Sequence, residues 1–306
     1  MQGHEITGVI CALVTPFDAG GEVDLDATCQ LIDFHCGHGT DGLFLLGTSG
    51  EGLLLAPEER MAVTERALGY AAGRIPVVVH CGATDTRSAV RLAEHAERHG
   101  ADAIAATGPL FFAYQESEIV EHFRRIAEAA PGTDLFVYEN PARVGYSLPV
   151  ALIGQLVSNV TSIVGVKDTG ASVGRLGAYQ TAEKDMVVFT GDNTMLLAAL
   201  VTGAAGLVST TSNVTPELFA GIVSAFAAGD LAAARERQLV ATRLQAAVSG
   251  LPYVAAVEWL MRTRGLPAGT GRREPMRRLT ADQEATLRVR VGDDPDLSDW
   301  LAGHAS

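Results

Sequence analysis

The feature that most constrains the fold is a regular alternation of eight short apolar runs with longer amphipathic segments. Each run is short and rich in β-branched or small apolar residues, which is typical of strands buried on both faces. The segments at 57–72 and 86–100 instead carry apolar residues at intervals of three and four and end near glycine, which predicts helices. The eight runs lie at 8–14, 42–46, 75–81, 102–107, 134–139, 162–167, 186–191 and 205–210.

Eight successive β-then-α units favour a closed (β/α)8 barrel, the TIM barrel of the α/β class. A doubly wound open sheet is the alternative, but eight strands leave none over in a barrel, and no GxGxxG motif follows the first run. After the eighth run, helical patterns continue at 215–229, 230–249, 251–265 and 280–291. We therefore predict a barrel over residues 1–229 and a helical extension over 230–306 that packs on it.

Charge and cysteine usage narrow the class of partner. The chain has 36 acidic and 23 basic residues, a net charge of -13, so it lacks the basic surface with which proteins bind nucleic acids or anionic membranes. No basic N-terminal segment precedes an apolar run, and no stretch approaches about 20 apolar residues. The four cysteines show no CxxC spacing, which argues against a disulfide framework or a zinc site. We expect a soluble cytoplasmic protein with a small-molecule ligand and neither nucleic acid nor membrane as partner.

The carboxyl ends of the strands form the active-site face of such a barrel. The sixth run ends in Lys167, where burial would disfavour the ammonium form. A neutral amine can attack a ketone, so Lys167 is a plausible Schiff-base nucleophile. An ion pair with Asp168 or another carboxylate is the alternative interpretation.

Two further motifs end the second and the fifth runs. Residues 47–51 (GTSGE) bracket two hydroxyls with glycines, and such a turn can present hydroxyl and backbone N–H groups to a carboxylate. Tyr138 ends the fifth run and could pass protons, while Arg143 could pair with a second carboxylate. Each has a simpler interpretation. Residues 47–51 would be a capped β-to-α turn, Tyr138 a buried aromatic with a satisfied hydroxyl, and Arg143 a surface charge in a loop.

At these positions the chain resembles the dihydrodipicolinate synthase and N-acetylneuraminate lyase family, the pyruvate-dependent class I aldolases. Residues 47–51 match its G-[ST]-[ST]-G-E motif, Tyr138 and Pro141 match Y-x-x-P, and Lys167 matches the imine-forming lysine. The resemblance covers about residues 6–290. Further agreement lies at 13–17, 191–193, 212–214 and 273–275.

The resemblance implies a mechanism and an assembly. Lys167 would form an imine with pyruvate or another 2-oxo acid, and Tyr138 would relay protons together with Thr48. Predicted substrate-binding residues are Gly47, Thr48, Ser49, Arg143 and, at the end of the eighth run, Thr210. No metal or dissociable cofactor is required. Relatives of this kind commonly form homotetramers built as dimers of dimers.

Departures from the family pattern concern the second substrate. In the synthases a tyrosine completes a hydroxyl relay across a subunit interface, and Phe111 stands at that position here. Tyr114 could supply the missing hydroxyl, but an ordinary tyrosine in a loop is the preferred interpretation. Arg143 matches the synthases' arginine for an acidic aldehyde. Glu139 stands where the family usually has Asn, without an assignable role. The lysine-inhibition positions hold Pro57, Arg60, Thr84 and Ser88, so we expect no inhibition by lysine.

The histidines offer weaker hypotheses. His80 ends the third run, but a metal-dependent aldolase would need further converging ligands, and we predict no metal site. The pairs His35 with His38 and His95 with His99 have same-face helical spacing and are interpreted as solvated faces.

The sequence thus predicts a Schiff-base lyase or aldolase that condenses a 2-oxo acid with an aldehyde or runs the reverse cleavage. The best specific hypothesis is a 4-hydroxy-tetrahydrodipicolinate synthase-like condensation. The alternatives are a 2-keto-3-deoxy sugar acid aldolase or dehydratase, and a catalytically silent barrel that binds a keto acid.

Overall fold

A computed structural model describes residues 6–303 and contains a closed barrel of eight parallel strands. Each strand pairs with the next in sequence, and the eighth pairs with the first, which confirms the predicted TIM barrel. The strands are β1 (Gly8–Ala12), β2 (Gly42–Leu45), β3 (Val77–His80), β4 (Ala103–Ala106), β5 (Asp134–Glu139), β6 (Ile163–Asp168), β7 (Val187–Thr190) and β8 (Gly206–Ser209).

Most strands are shorter than the apolar runs that predicted them. The first run continues through Leu13 and Val14, which leave the strand but stay buried at the carboxyl end of the barrel. Hydrophobicity therefore marks burial here, and the buried run extends beyond the end of the strand.

Thirteen α-helices are found among residues 6–303. The helices predicted at 57–72 and 86–100 are confirmed. A final helix of seven residues, begun by the side chain of Asp294 and by Pro295, was missed because it is too short to show a period. The helices are α1 (Leu25–Gly37), α2 (Pro57–Ala71), α3 (Thr86–Arg98), α4 (Glu116–Ala129), α5 (Pro141–Val144), α6 (Val150–Asn159), α7 (Val173–Ala182), α8 (Leu196–Val201), α9 (Pro216–Ala227), α10 (Leu231–Val248), α11 (Tyr253–Thr263), α12 (Ala281–Gly292) and α13 (Pro295–Leu301).

Apolar side chains form two cores. The larger lies between the strands and the surrounding helices, and the smaller fills the inside of the barrel. On β4 the inner positions are Ala103 and Ala105, whose small side chains leave space for aromatic rings from neighbouring strands. Those rings include Phe44 and Tyr138.

The helices after the barrel share its larger core, through residues such as Leu287 and Leu297. Gln238 on α10 joins them to the barrel, because its amide donates to the Asn193 carbonyl at 2.9 Å and accepts from the Leu197 N–H at 2.9 Å. None of the described helices combines the length and apolar character needed to cross a membrane.

Candidate active site

Lys167 lies inside the carboxyl end of the barrel, only 4% exposed. Its Nζ is 3.9 Å from the centroid of the Phe44 ring and 4.0 Å from that of Tyr138. Burial lowers the pKa of Lys167, and contact with Tyr138 opposes that shift only in part. Burial thus shifts Lys167 towards the neutral amine that nucleophilic attack requires.

The neighbouring carboxylate does not hold Lys167. Oδ2 of Asp168 accepts hydrogen bonds from Arg175 Nε and Tyr179 Oη, both at 2.7 Å. Glu139 joins the same network, since Oε1 accepts from Ser147 Oγ at 2.6 Å and from Arg175 Nη2 at 3.1 Å. Glu139, which had no assignable role, thus fixes the loop after β5 and is not available to substrate.

The hydroxyl of Tyr138 lies in a group of three polar side chains. It is 3.2 Å from Thr48 Oγ1, and Asn140 Nδ2 donates to it at 2.9 Å. Asn140 Nδ2 also reaches Thr48 Oγ1, at 3.4 Å. Burial raises the pKa of Tyr138, but the charge of Lys167 and the hydrogen bonds from Thr48 and Asn140 outweigh it, so the net pKa is lowered.

Asn140 is a site residue that the sequence analysis missed. It stands two residues after Tyr138, and residues at this spacing point to the same side of an extended chain. That alternation is the signal that could have found it.

The loop after β2 is tightly wound. Leu46 and Glu51 have left-handed φ angles of 59° and 51°, and a Cβ on Gly52 would lie 2.0 Å from the Leu46 carbonyl oxygen, so only glycine fits there. This geometry leaves Thr48 exposed at the mouth and buries Ser49, whose Oγ is 2.5 Å from Thr210 Oγ1. The loop thus brings together Gly47, Thr48, Ser49 and Thr210, four of the positions predicted to bind substrate.

Side chains from the C-terminal extension support this loop. Arg272 pairs with Glu51, and its Nη1 is 2.6 Å from Glu258 Oε1; all three side chains are at most 5% exposed. These contacts could not be predicted from the sequence, because the partners lie far apart in the chain and show no periodic pattern.

Arg143 and the aromatic residues of the β4–α4 loop lie around the mouth. Arg143 is exposed on the short helix α5. Phe111, at a φ of 80°, is 89% exposed, and Phe112 is 64% exposed. Oη of Tyr114 donates to the Leu110 carbonyl at 3.2 Å, which ties Tyr114 to its own loop rather than to Tyr138.

Two predicted histidine faces need correction. His35 and His95 are buried, so the interpretation of both pairs as solvated is wrong for these members. His35 Nδ1 bonds to Thr40 Oγ1 at 2.9 Å, and His95 stacks on His99 with ring centroids 4.3 Å apart. His95 and His99, with Glu65 on α2, also bring potential metal-ligand atoms within 4.8 Å of one another, on the outer helical layer and away from the barrel mouth.

The residues at the lysine-inhibition positions do not form one surface. Arg60 is buried and donates to the carbonyl oxygens of Gly82 and His80 at 2.9 and 2.6 Å, whereas Thr84 and Ser88 have exposed or partly exposed side chains. Arg60 therefore anchors the end of β3. The absence of lysine inhibition stays a prediction.

Comparison with known proteins agrees with this geometry. The model of the Dihydrodipicolinate synthetase family matches residues 5–293. The chain is 35% identical over 296 residues to the 4-hydroxy-tetrahydrodipicolinate synthase of Nitrosospira multiformis, covering 96% of this chain and 97% of that one. It is 32% identical over 292 residues to a probable 2-dehydro-3-deoxy-D-pentonate aldolase of Escherichia coli, with coverage of 94% and 96%.

Among solved structures, the fold superposes on a prophage protein of the dihydrodipicolinic acid synthase family from E. coli K12 in complex with pyruvate. The TM-score is 0.91 at 28% identity, covering 95% of this chain and 99% of that one. The match to the family extends over nearly the whole chain and confirms the resemblance seen in the motifs. This protein is a member of the dihydrodipicolinate synthase family of lyases.

Proposed function

We propose that this protein is a Schiff-base lyase in which Lys167 forms an imine with pyruvate or another 2-oxo acid. The observation that carries the proposal is the buried amine of Lys167, which lies between two aromatic rings and beside the Tyr138 phenol. The pyruvate complex of the structural relative supports pyruvate as the first substrate. The proposed chemistry requires no metal or dissociable cofactor.

The reaction begins when the hydroxyl and backbone N–H groups of Thr48 and Ser49 bind the carboxylate of the 2-oxo acid. The neutral amine of Lys167 adds to the C2 carbonyl carbon, and the carbonyl oxygen takes up a proton to give a carbinolamine. Loss of that oxygen as water leaves the imine. We assign the transfer of these protons to Tyr138, whose ring centroid is 4.0 Å from the amine.

Carbon–carbon bond formation follows from the imine. Loss of a proton from C3 gives an enamine, whose C3 attacks the aldehyde carbon while the aldehyde oxygen takes a proton. Hydrolysis of the product imine returns Lys167 to the free amine. The cleavage reaction runs the same steps in reverse.

We propose that Asn140 compensates in part for the missing relay tyrosine. Its amide N–H groups reach both the Tyr138 and Thr48 oxygens, so they orient the phenol and stabilise its phenolate form. An amide does not carry protons as a phenol does. Asn140 therefore acts as a positioning residue within one chain, where the synthases use a tyrosine from the partner.

The second substrate decides between two specific activities. Arg143 on the exposed helix α5 favours an acidic aldehyde, as in the 4-hydroxy-tetrahydrodipicolinate synthase reaction. Phe111 and the similarity to the pentonate aldolase favour cleavage of a 2-keto-3-deoxy sugar acid. We take the synthase-like condensation as the first hypothesis and the sugar acid reaction as the second.

We also propose a homotetramer in the cytoplasm. Phe111 and Phe112 form an exposed aromatic pair with ring centroids 5.1 Å apart, which a subunit interface would bury. The four cysteines are all free thiols in the structure, in keeping with a reducing compartment.

A coupled assay separates the activities. Wild-type protein and Lys167→Ala are given pyruvate with aspartate semialdehyde and, in parallel, a panel of 2-keto-3-deoxy acids. If wild type but not Lys167→Ala turns over the semialdehyde, the result supports the synthase-like reaction. If wild type turns over the keto-deoxy acids but not the semialdehyde, the result supports the second hypothesis. Saturable pyruvate binding without turnover or imine would instead indicate a silent barrel.

A further inference from the structure

Two buried polar atoms at the barrel mouth have no hydrogen-bond partner among the described residues. They are Nε2 of His80, at the end of β3, and Oγ1 of Thr107, just after β4. A Cβ on Gly82 would lie 2.6 Å from the first atom and 2.8 Å from the second, so both atoms pack against this glycine and lie close to each other. A single hydroxyl oxygen can form hydrogen bonds with two atoms that lie this close to one common point.

The surrounding structure holds both residues in place. Arg60 stabilises the backbone of residues 80–82, because its guanidinium donates hydrogen bonds to the carbonyl oxygens of His80 and Gly82. The Thr107 carbonyl accepts a hydrogen bond from His122 Nε2 at 3.3 Å, and His122 Nδ1 in turn bonds with Thr86 Oγ1 at 2.9 Å. The pair is therefore part of a built and rigid arrangement.

The proton on His80 can be assigned from its contacts. Nδ1 lies 3.1 Å from the Leu46 carbonyl oxygen, which can only accept, so Nδ1 carries the hydrogen. Burial, with the charges of Arg60 and Lys167, lowers the pKa of His80 to about 3, which keeps the ring neutral. Nε2 is then a pure acceptor, while the Thr107 hydroxyl can donate.

We propose that His80 Nε2 and Thr107 Oγ1 form a hydroxyl-binding subsite for the carbon chain of the second substrate. A substrate hydroxyl can donate to Nε2 and accept from the Thr107 hydroxyl, which satisfies both atoms at once. A carboxylate has no hydrogen to give to Nε2, and an alkyl group satisfies neither atom. The subsite therefore selects hydroxylated aldehydes, or the hydroxylated 2-oxo acids formed from them, and so favours the sugar acid reaction over the synthase-like condensation.

The subsite lies next to the proposed chemistry. The His80 ring centroid is 5.6 Å from that of Tyr138 and 6.1 Å from that of Phe44, the two rings that flank the Lys167 amine. The inference rests on the proposed function, because it assigns part of the substrate of the same site.

The experiment compares two aldehydes with the same three-carbon chain. Glyceraldehyde carries hydroxyls at C2 and C3, and propanal carries none. Pyruvate consumption with each aldehyde gives kcat/KM for wild type, for Thr107→Val, which deletes Oγ1 at similar volume, and for the conservative variant Thr107→Ser. A fourth variant, His80→Asn, keeps a donor for the Leu46 carbonyl but removes Nε2.

Wild type should prefer glyceraldehyde to propanal by at least about tenfold. Thr107→Val and His80→Asn should each reduce that ratio by about tenfold, through a higher KM for glyceraldehyde, and Thr107→Ser should restore it. Equal use of the two aldehydes by wild type, or a loss of the same size for both aldehydes in the variants, would overturn the subsite.

Borohydride trapping with pyruvate alone distinguishes failure of the subsite from failure of the proposed function. An adduct on Lys167 together with equal use of the aldehydes contradicts only the subsite. No adduct in folded wild type contradicts the proposed function, and with it the assignment of the pair to a substrate of that reaction.

Discussion

In the proposed mechanism, proton transfer depends on the phenol of Tyr138, whose pKa is set by burial and by three neighbours. Lys167 places a charge over its ring, and Thr48 and Asn140 reach its oxygen. These contacts favour the phenolate more than burial disfavours it. The chemistry therefore depends on a small group of side chains as much as on the lysine.

Replacing Asn140 tests this arrangement. Asn140→Ala removes a donor to the phenolate, so the pKa of Tyr138 should rise. If the phenol acts as an acid, activity falls above that pKa, and the alkaline limb of the kcat/KM profile should move to higher pH in the variant, while kcat falls about tenfold or more.

Tyr138→Phe provides the control, since it should remove the limb altogether. Superimposable pH profiles for wild type and Asn140→Ala would show that Asn140 does not act on Tyr138.

At the scale of elements, the loop after β2 joins distant parts of the chain. The glycines and hydroxyls of residues 47–51 could be predicted from the sequence because their chemistry is local. The supporting ion pairs could not, because Arg272 comes from the segment between α11 and α12 and Glu258 from α11. Side chains brought together only by the closed fold leave no short-range pattern to detect.

The buried cluster of Glu51, Arg272 and Glu258 should make stability depend on pH. Burial raises the pKa of Glu258 to about 7, above its ordinary value of 4.5. The folded chain then holds a proton that the unfolded chain releases, so this contribution to stability is present below pH about 4.5 and is lost as pH rises through about 7.

Glu258→Gln keeps the neutral form at every pH. Its free energy of unfolding, measured by urea denaturation, should therefore gain on wild type by up to about 3 kcal/mol between pH 5 and pH 8. The matched control is Glu217→Gln, which removes one carboxylate from the more exposed Glu217–Arg264 pair. A difference between Glu258→Gln and wild type that stays constant with pH would contradict the account.

At the scale of the whole molecule, the barrel could be predicted because eight buried strands leave eight separable apolar runs. The ends of the strands were less predictable, since residues such as Leu13 are buried without being in a strand. The short helices α5 and α13 have too few residues for a period. Conformations such as the positive φ of Phe111 depend on the loop around it and carry no sequence signal of their own.

The exposed aromatic pair predicts an assembly. Light scattering should give a particle of about four times the 32.1 kDa chain for wild type. Phe111→Asp combined with Phe112→Asp places two charges in the proposed interface and should reduce that mass.

Because both side chains are exposed in the single chain, circular dichroism of the double variant should stay that of a folded protein. A monomeric wild type, or a double variant of unchanged mass, would contradict the proposed interface.

The central claim is that the buried amine of Lys167 forms an imine with a 2-oxo acid. The most direct measurement is incubation with pyruvate and borohydride, followed by peptide mass spectrometry of wild type and Lys167→Ala. The account predicts a reduced pyruvate adduct on the peptide that contains Lys167 and none in the variant. An unmodified Lys167 in folded wild-type protein, or an adduct of equal yield in Lys167→Ala, would contradict it.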